Sequence, residues 1–234
     1  MKKNFRSLIL PGALVCLGVL NVSTAKATLV GDVALAPGGN VFPGSVTGDA
    51  PGTLLADQVQ PFSILTAVGT MSGTIESAVY MESGGTLDFY YQVSNTSPDG
   101  DNFSRNSDSS FGGFLTDVGF RTDGSSLTGT GFTDSAFIPD TADRSTTNGG
   151  AVVGFNFNSF GTLDEIPVGA KSSVLVITTN ATHYMLGTAS AIDSGTATVP
   201  AYEPTNVPEP TSIVLFGSGL LLFVGLARSR RFSR

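Results

Sequence analysis

The sequence has little charge, one cysteine, one histidine and no tryptophan. Only 13% of its 234 residues are charged, where an average globular protein has about 25%, and the formal net charge is -7. An acidic chain with so little lysine and arginine does not form the basic surface that nucleic-acid binding needs, so nucleic acid is excluded as a partner. One cysteine excludes a disulfide framework, and one cysteine with one histidine leaves too few ligands for a zinc site.

The first 27 residues have the three parts of a secretory signal peptide. A basic start is followed by an apolar run over residues 8–20 and then by Ala25 and Ala27, the small residues at positions minus three and minus one of a cleavage site. Thirteen apolar residues are too few to cross a hydrocarbon core of about 30 Å as a helix. We therefore predict export with removal of residues 1–27, which also removes Cys16.

The C-terminus contains a second targeting pattern. Pro208, Glu209 and Pro210 precede an apolar stretch over residues 212–227. As a helix this stretch would be about 24 Å long, slightly short for a full span, and we predict it as a transmembrane helix after a linker at 205–211. The positive-inside tendency makes residues 228–234 a cytoplasmic tail. The basic residues of that tail are Arg228, Arg230, Arg231 and Arg234.

This order of Pro-Glu-Pro, apolar span and arginine-rich tail resembles the PEP-CTERM sorting signal of exported bacterial proteins. The resemblance implies that an exosortase, a membrane transpeptidase, recognises Pro208, Glu209 and Pro210 and removes the span. It further implies a precursor anchored transiently in the inner membrane and a mature form at the cell surface or in the extracellular matrix. The alternative from the residues alone is a permanent single-span anchor.

Residues 28–204 show the period-two pattern of β-strands. The alternation of apolar and polar residues is clearest over residues 87–93 and 152–158. Turn clusters such as Asn148-Gly149-Gly150 and Ser194-Gly195 separate the predicted strands. No 11-residue window has a sustained helical period. We predict an all-β fold, an antiparallel β-sandwich of Greek-key or jelly-roll-like type, with an irregular Gly- and Pro-rich loop over residues 36–61.

Phenylalanine supplies the bulk of the predicted core. Without tryptophan, the best side chain for stacking on sugars, packing is favoured over a carbohydrate platform. The predicted core residues are Phe89, Phe111, Phe114, Phe120, Phe132, Phe137, Phe155 and Phe157.

The sequence contains no recognisable catalytic constellation. His183 is the only histidine, and neither a Gly-x-Ser-x-Gly elbow nor a Ser-x-x-Lys pair occurs in the exported part. The adjacent acids Asp164 and Glu165 would point to opposite faces of a strand, which does not suit a glycosidase pair. We therefore predict a protein that is not an enzyme and has no cofactor.

Calcium is the alternative to a cofactor-free protein. Asp99, Asp101 and Asn102 offer oxygen ligands in one loop, with Asp108 downstream, and oxygen ligands in a flexible loop suit Ca²⁺. The loop is not an EF-hand, because Phe103 and Ser104 occupy positions where that motif needs an oxygen ligand and a glycine.

The exported part has four basic and eighteen acidic residues, a net charge of -14 that both basic termini mask. These features favour a non-enzymatic cell-envelope or extracellular-matrix protein, associated with a biofilm or exopolysaccharide. The alternatives are a calcium- or polysaccharide-binding surface module and, third, a hydrolase of unrecognised type.

Overall fold

The computed structural model describes residues 29–66, 69–98, 100–157 and 165–206, and this part of the chain is all-β. The predicted signal peptide, sorting motif, transmembrane helix, basic tail and Asp99 lie outside the described residues. Two single-turn 3₁₀ helices, Gly124–Ser126 and Thr147–Gly149, are the only helical segments that the described residues form. The strands are β1 (Val33–Ala34), β2 (Asn40–Val41), β3 (Gly44–Ser45), β4 (Thr53–Leu65), β5 (Thr70–Met81), β6 (Leu87–Asn95), β7 (Arg105–Asp108), β8 (Thr116–Arg121), β9 (Thr141–Arg144), β10 (Val153–Asn156), β11 (Val174–Thr179), β12 (Tyr184–Ile192) and β13 (Thr196–Pro204).

The strands form two sheets, which we call sheet A and sheet B. Sheet A has the order β1-β8-β11-β6-β5-β4, and β3 pairs with β8 in the single parallel contact among the described strands. Sheet B has the order β13-β12-β7-β10-β9-β2 and is antiparallel throughout. The predicted all-β antiparallel sandwich is confirmed.

The main core lies between the two sheets. Leu87, Phe89, Tyr91 and Val93 of β6 line it from sheet A, because alternate residues of a strand share a face. Phe155 of β10 lines it from sheet B, beside Ala142 of the neighbouring strand β9. All eight predicted phenylalanines are buried or partly buried, and Phe62 and Phe103 join the core without having been predicted.

A second apolar cluster covers the outer face of sheet A. There Tyr80 and Tyr90 stack with ring centroids 4.7 Å apart, and Leu127 and Phe132 pack over them from a long loop after β8. Alternation over residues 87–93 is typical of a strand with one exposed face, and that expectation is wrong here, because both faces of β6 are buried. The polar residues of that strand are therefore interior residues.

The predicted loop over residues 36–61 is also wrong at its C-terminal end. Residues 53–65 form β4, the longest strand, whose burial alternates along most of its length. Pro61 lies in this strand, and β4 is at the edge of sheet A, the position at which a sheet tolerates a residue without an N–H. The sequence favours two separate short strands over residues 182–185 and 189–193, whereas the structure has one strand there, β12.

Arg144 holds the loops at one end of the sandwich together. Its guanidinium donates to the carbonyl oxygens of Leu35 (3.0 Å), Phe111 (2.7 Å), Phe114 (3.0 Å) and Gly150 (2.8 Å). Burial lowers the pKa of this arginine. One buried guanidinium thus provides the hydrogen-bond donors for carbonyl groups of several irregular backbone segments.

Candidate functional site

The last strand of the sandwich is fixed to both sheets up to the point where the chain leaves it. In sheet B, Tyr184 pairs with Pro204, and the Thr205 amide donates to the His183 carbonyl oxygen at 3.0 Å. Across the core, the Tyr91 hydroxyl of sheet A donates to the Tyr202 carbonyl oxygen at 2.6 Å. The ordered domain therefore extends to Thr205.

The predicted sorting residues follow almost at once. Pro208, Glu209 and Pro210 lie outside the described residues, three to five positions after Thr205. Three residues of extended chain span at most about 10 Å. Whatever binds this motif must come close to the end of the sandwich at which β13 stops.

A scan against family models matches residues 206–231 to the PEP-CTERM protein-sorting motif. The chain carries a PEP-CTERM sorting signal. The matched segment begins at Asn206, directly after the last described backbone hydrogen bond, and it contains Pro208, Glu209 and Pro210. The PEP-CTERM motif marks an exported protein that is sorted to the cell surface and processed by an exosortase.

No curated protein and no solved structure matches the chain. Among the described residues, no helix is long and apolar enough to cross a membrane, and the predicted span at 212–227 lies outside them, as do Ala25, Ala27 and the four arginines of the tail. The role of the domain must therefore be argued from its own side chains.

His183 lies in the connection before β12, one residue before that strand begins. The residue is exposed, and its Nδ1 is 3.0 Å from the Thr182 hydroxyl. Acyl transfer by a histidine base needs a carboxylate or similar group to orient the ring and a nucleophile on its other side. The hydroxyl of a neighbouring exposed threonine supplies neither arrangement.

The structure separates the residues of the predicted calcium loop. Asp101 and Asn102 precede β7, whereas Asp108 is the last residue of that strand and is buried in the sandwich. Its carboxylate accepts a hydrogen bond from Asn106 Nδ2 at 2.8 Å, and burial raises its pKa to about 8. Asp108 is thus an interior residue, about 10 Å along the strand from the loop.

Carboxyl groups meet in two places on the outer face of sheet A. In the first, Glu76 of β5 contacts Asp57 of β4, and burial raises the pKa of Glu76 to about 7, with Asp57 adding to the rise. The Gly131 amide donates to Glu76 Oε1, which opposes that rise. This first pair therefore has a hydrogen-bond donor from the loop that covers it.

The second contact joins Glu82 and Asp88, at the hairpin between β5 and β6. Asp88 is fully buried, and burial followed by the nearby Glu82 and Asp32 carboxylates raises its pKa to about 8. The Glu82 carboxyl and the Thr179 backbone amide lie within hydrogen-bonding reach of Asp88, and the Thr179 amide opposes the rise of its pKa. Among the described residues of the hairpin, the buried Thr86 Oγ1 has no hydrogen-bond partner.

Sequence reasoning missed this hairpin because Asp88 has the alternation of a solvent-facing strand residue. It is an interior residue because segments distant in sequence pack on the outer face of sheet A, among them the N-terminal segment, whose Asp32 is bonded to Thr178 beside Asp88. The available signal was the hairpin sequence Glu82-Ser83-Gly84-Gly85-Thr86, in which acids and hydroxyls flank two glycines.

Across the described ranges, no group of three or more histidine, cysteine or acidic side chains is arranged to hold a metal ion. Surface cavities of about 360 and 350 Å³ are present near Phe114 and near Phe137. Neither is lined by His183 or by the two carboxyl pairs. The charged residues that line them are Asp117 and Arg144 in the first cavity and Asp140 in the second.

Proposed function

We propose that the protein is a non-enzymatic component of the cell envelope or extracellular matrix, delivered by exosortase processing at its PEP-CTERM motif. The observation that carries the proposal is the direct junction between the sandwich and the motif, because Thr205 is still bonded to the domain and the matched segment begins at Asn206. The sandwich is therefore the part of the chain that processing delivers.

The edges of the sandwich support a role as a soluble exported cargo. Unpaired edge strands are sites of unwanted association, and proline is a common protection against it. Each sheet has one long edge strand, and each contains a proline, Pro61 in β4 and Pro200 in β13. The opposite edges are formed by strands of two residues, β1 and β2.

The placement of titratable groups supports a non-enzymatic role. Catalytic acids and bases need access to substrate in a cleft. Here Asp108 and Asp88 are buried, Glu76 is buried beside the loop after β8, and His183 is on an exposed connection. No described cavity brings these groups to a substrate.

The net charge of -14 in the exported part opposes self-association of the domain. The domain can therefore stay dissolved in a hydrated matrix. We propose exopolysaccharide as the matrix component with which the mature protein is retained. Recovery of the protein from matrix and from medium, in host strains with and without polysaccharide synthesis, tests this part. Equal retention in both strains would remove it.

Mass spectrometry of the surface-exposed protein from its host tests the processing itself. We expect molecules that lack the segment 212–234 in a strain with its exosortase, and intact molecules in a strain without it. Replacement of Pro208, Glu209 and Pro210 by alanine should give intact molecules in both strains. Surface molecules that keep residues 212–234 in the unmodified host would overturn the proposal.

A further inference from the structure

The domain ends in a ribbon of two strands that continues beyond the end of β7 in sheet B. Strand β7 pairs with residues 189–192 of β12, and the last bond on that side joins the Ser109 amide to the Thr188 carbonyl oxygen at 3.1 Å. Among the described strands, residues 184–187 of β12 pair with β13 alone. We call residues 184–187 and 201–204 the exit ribbon, because the chain leaves the domain at its end.

The open edge of the exit ribbon is the side of residues 184–187 that faces away from β13. In an antiparallel ladder, alternate residues turn their amide and carbonyl groups to the partner strand. The Thr205 amide is bonded to the His183 carbonyl oxygen, so the odd-numbered residues at this end of β12 face β13. The main-chain groups of Tyr184 and Leu186 therefore point to the open edge, where no described strand pairs with them.

Two apolar side chains of this ribbon are exposed. Met185 and Leu186 are 48% and 56% exposed, and they are the only neighbours in sequence among the exposed large apolar residues that the structure describes. Successive side chains of a strand point to opposite faces, so both faces of the ribbon are open here. The ring of Tyr202, opposite Leu186, meets the ring of Tyr184 edge to face, with centroids 5.6 Å apart. The ribbon thus presents apolar side chains together with unpaired backbone groups.

This edge lacks the protection that the other sheet edges have. An unpaired strand edge attracts a strand from another molecule unless proline, charge or shortness prevents it. Pro61 and Pro200 interrupt the long edge strands, and β1 and β2 have two residues each. Residues 184–187 contain no proline and no charged residue. The exit ribbon is therefore open to a partner.

The chain length after the ribbon identifies the partner that reaches it. Met185 pairs with Glu203, and paired residues of an antiparallel ladder have Cα atoms about 5 Å apart. Pro208 follows Glu203 by five residues, which span at most about 18 Å. A folded domain of only about 100 residues already has a radius of gyration of about 13 Å. An enzyme that binds Pro208 therefore comes against the exit ribbon.

We propose that the exosortase docks on the exit ribbon, with Met185 and Leu186 as its apolar contacts and the open edge of β12 as a place for a strand of the enzyme. The inference rests on the proposed function, since it requires processing at the PEP-CTERM motif. Contacts outside the motif add binding energy that the linear segment does not supply. Because the Tyr91 bond and the ladder with β12 hold β13 in place, docking presents the motif to the enzyme from a rigid base.

Charge disfavours two other partners for this surface. A lipid surface attracts proteins through lysine and arginine near anionic headgroups, and the exit ribbon contains neither. A second copy of the exported part has the same net charge of -14, which opposes pairing of two domains. The processing enzyme is therefore the partner that this surface fits.

The rate of processing in the host tests the docking. Leu186→Thr keeps a good strand former but removes the apolar contact, and it should slow the loss of segment 212–234 in a pulse-chase experiment roughly fivefold, as loss of one interface anchor does. Adding Met185→Thr should slow it further, whereas Leu186→Ile should keep the rate. Leu65→Thr is the matched control, since Leu65 is an exposed leucine beside Gly195, at the far end of the β12–β13 hairpin, and should keep the rate. An unchanged Tm of the purified chains shows that the substitutions leave the fold intact.

Photo-cross-linking tests the contact independently of the rate. A photoreactive phenylalanine analogue at position 186 should join the precursor to an epitope-tagged exosortase in host cells. The same analogue at position 65 should not. Absence of the cross-link at position 186 would overturn the docking.

Failure of the docking and failure of the proposed function give different results. If the unmodified chain keeps segment 212–234 in the host, the proposed function is wrong and the docking is wrong with it. If the unmodified chain is processed, and the double variant Met185→Thr with Leu186→Thr is processed at the same rate, only the docking is overturned. Binding of the mature form to anionic phospholipid vesicles, or its dimerisation, would also overturn it if the double variant lost that property, because the surface would then serve lipid or a second copy.

Discussion

The phenol of Tyr91 donates a 2.6 Å hydrogen bond to the carbonyl oxygen of Tyr202. Tyr91 lies in the middle of sheet A, and Tyr202 lies in the edge strand of sheet B that leads to the PEP-CTERM motif. The bond therefore ties the exit strand of the domain to the opposite sheet across the core. Burial raises the pKa of the Tyr91 hydroxyl well above its ordinary value, so it remains a donor at any physiological pH.

Tyr91→Phe should lower the free energy of unfolding by roughly 1–3 kcal/mol, because the Tyr202 carbonyl would lose a buried donor. Urea unfolding followed by circular dichroism measures the change. Tyr202→Phe is the control, since it keeps the carbonyl group that accepts the bond and should cost less than about 0.5 kcal/mol. An equal effect of both substitutions would contradict a specific role for the Tyr91 bond.

Arg144→Lys should be more damaging than its conservative character suggests. A lysine ammonium lacks the planar fork that reaches the carbonyls of Leu35, Phe111, Phe114 and Gly150. Leaving several buried carbonyls without donors should cost about 3 kcal/mol or more. The same measurement with Arg105→Lys, at a partly exposed ion pair with Asp143, should show a loss of about 1 kcal/mol or less.

Buried carboxyls make stability depend on pH in an unusual direction. Glu76, Asp88 and Asp108 have pKa values of about 7, about 8 and about 8 in the fold, whereas in the unfolded chain they ionise near pH 4. Between pH 4 and pH 8 the folded state therefore binds more protons than the unfolded state. The free energy of unfolding should fall as pH rises through this range. Below pH 4 their full contribution is present.

Asp108→Asn should flatten this fall, since it removes one of the protons that folding takes up. Thermal unfolding from pH 5 to pH 9 in calcium-free buffer gives the slope. Asp134→Asn is the comparison, because Ser125 lowers the pKa of that exposed carboxyl and its removal should not flatten the curve. If Asp108→Asn and the unmodified protein had the same slope, Asp108 would not be protonated in the fold.

The fold class was predictable because turns and strand alternation are local features. The extent of burial was not, because the loop layer with Leu127 and Phe132 covers β6 from segments far away in sequence. Asp88 therefore looked like a surface residue and Asp108 like a loop ligand, and both are interior. The presence of the sorting motif was predictable, since it is recognised as a linear segment and needs no tertiary contact.

Pro61 gives the last prediction, on association through the edge of sheet A. The edge strand β4 is long and carries exposed Leu55, Val59 and Leu65, a combination that favours strand pairing between molecules. Pro61→Thr restores an N–H to this edge and should raise the fraction of dimers and larger species in size-exclusion chromatography with light scattering. Pro98→Thr, in the exposed loop after β6, should elute as the unmodified protein does. If both variants eluted as the unmodified protein, Pro61 would not be what protects this edge.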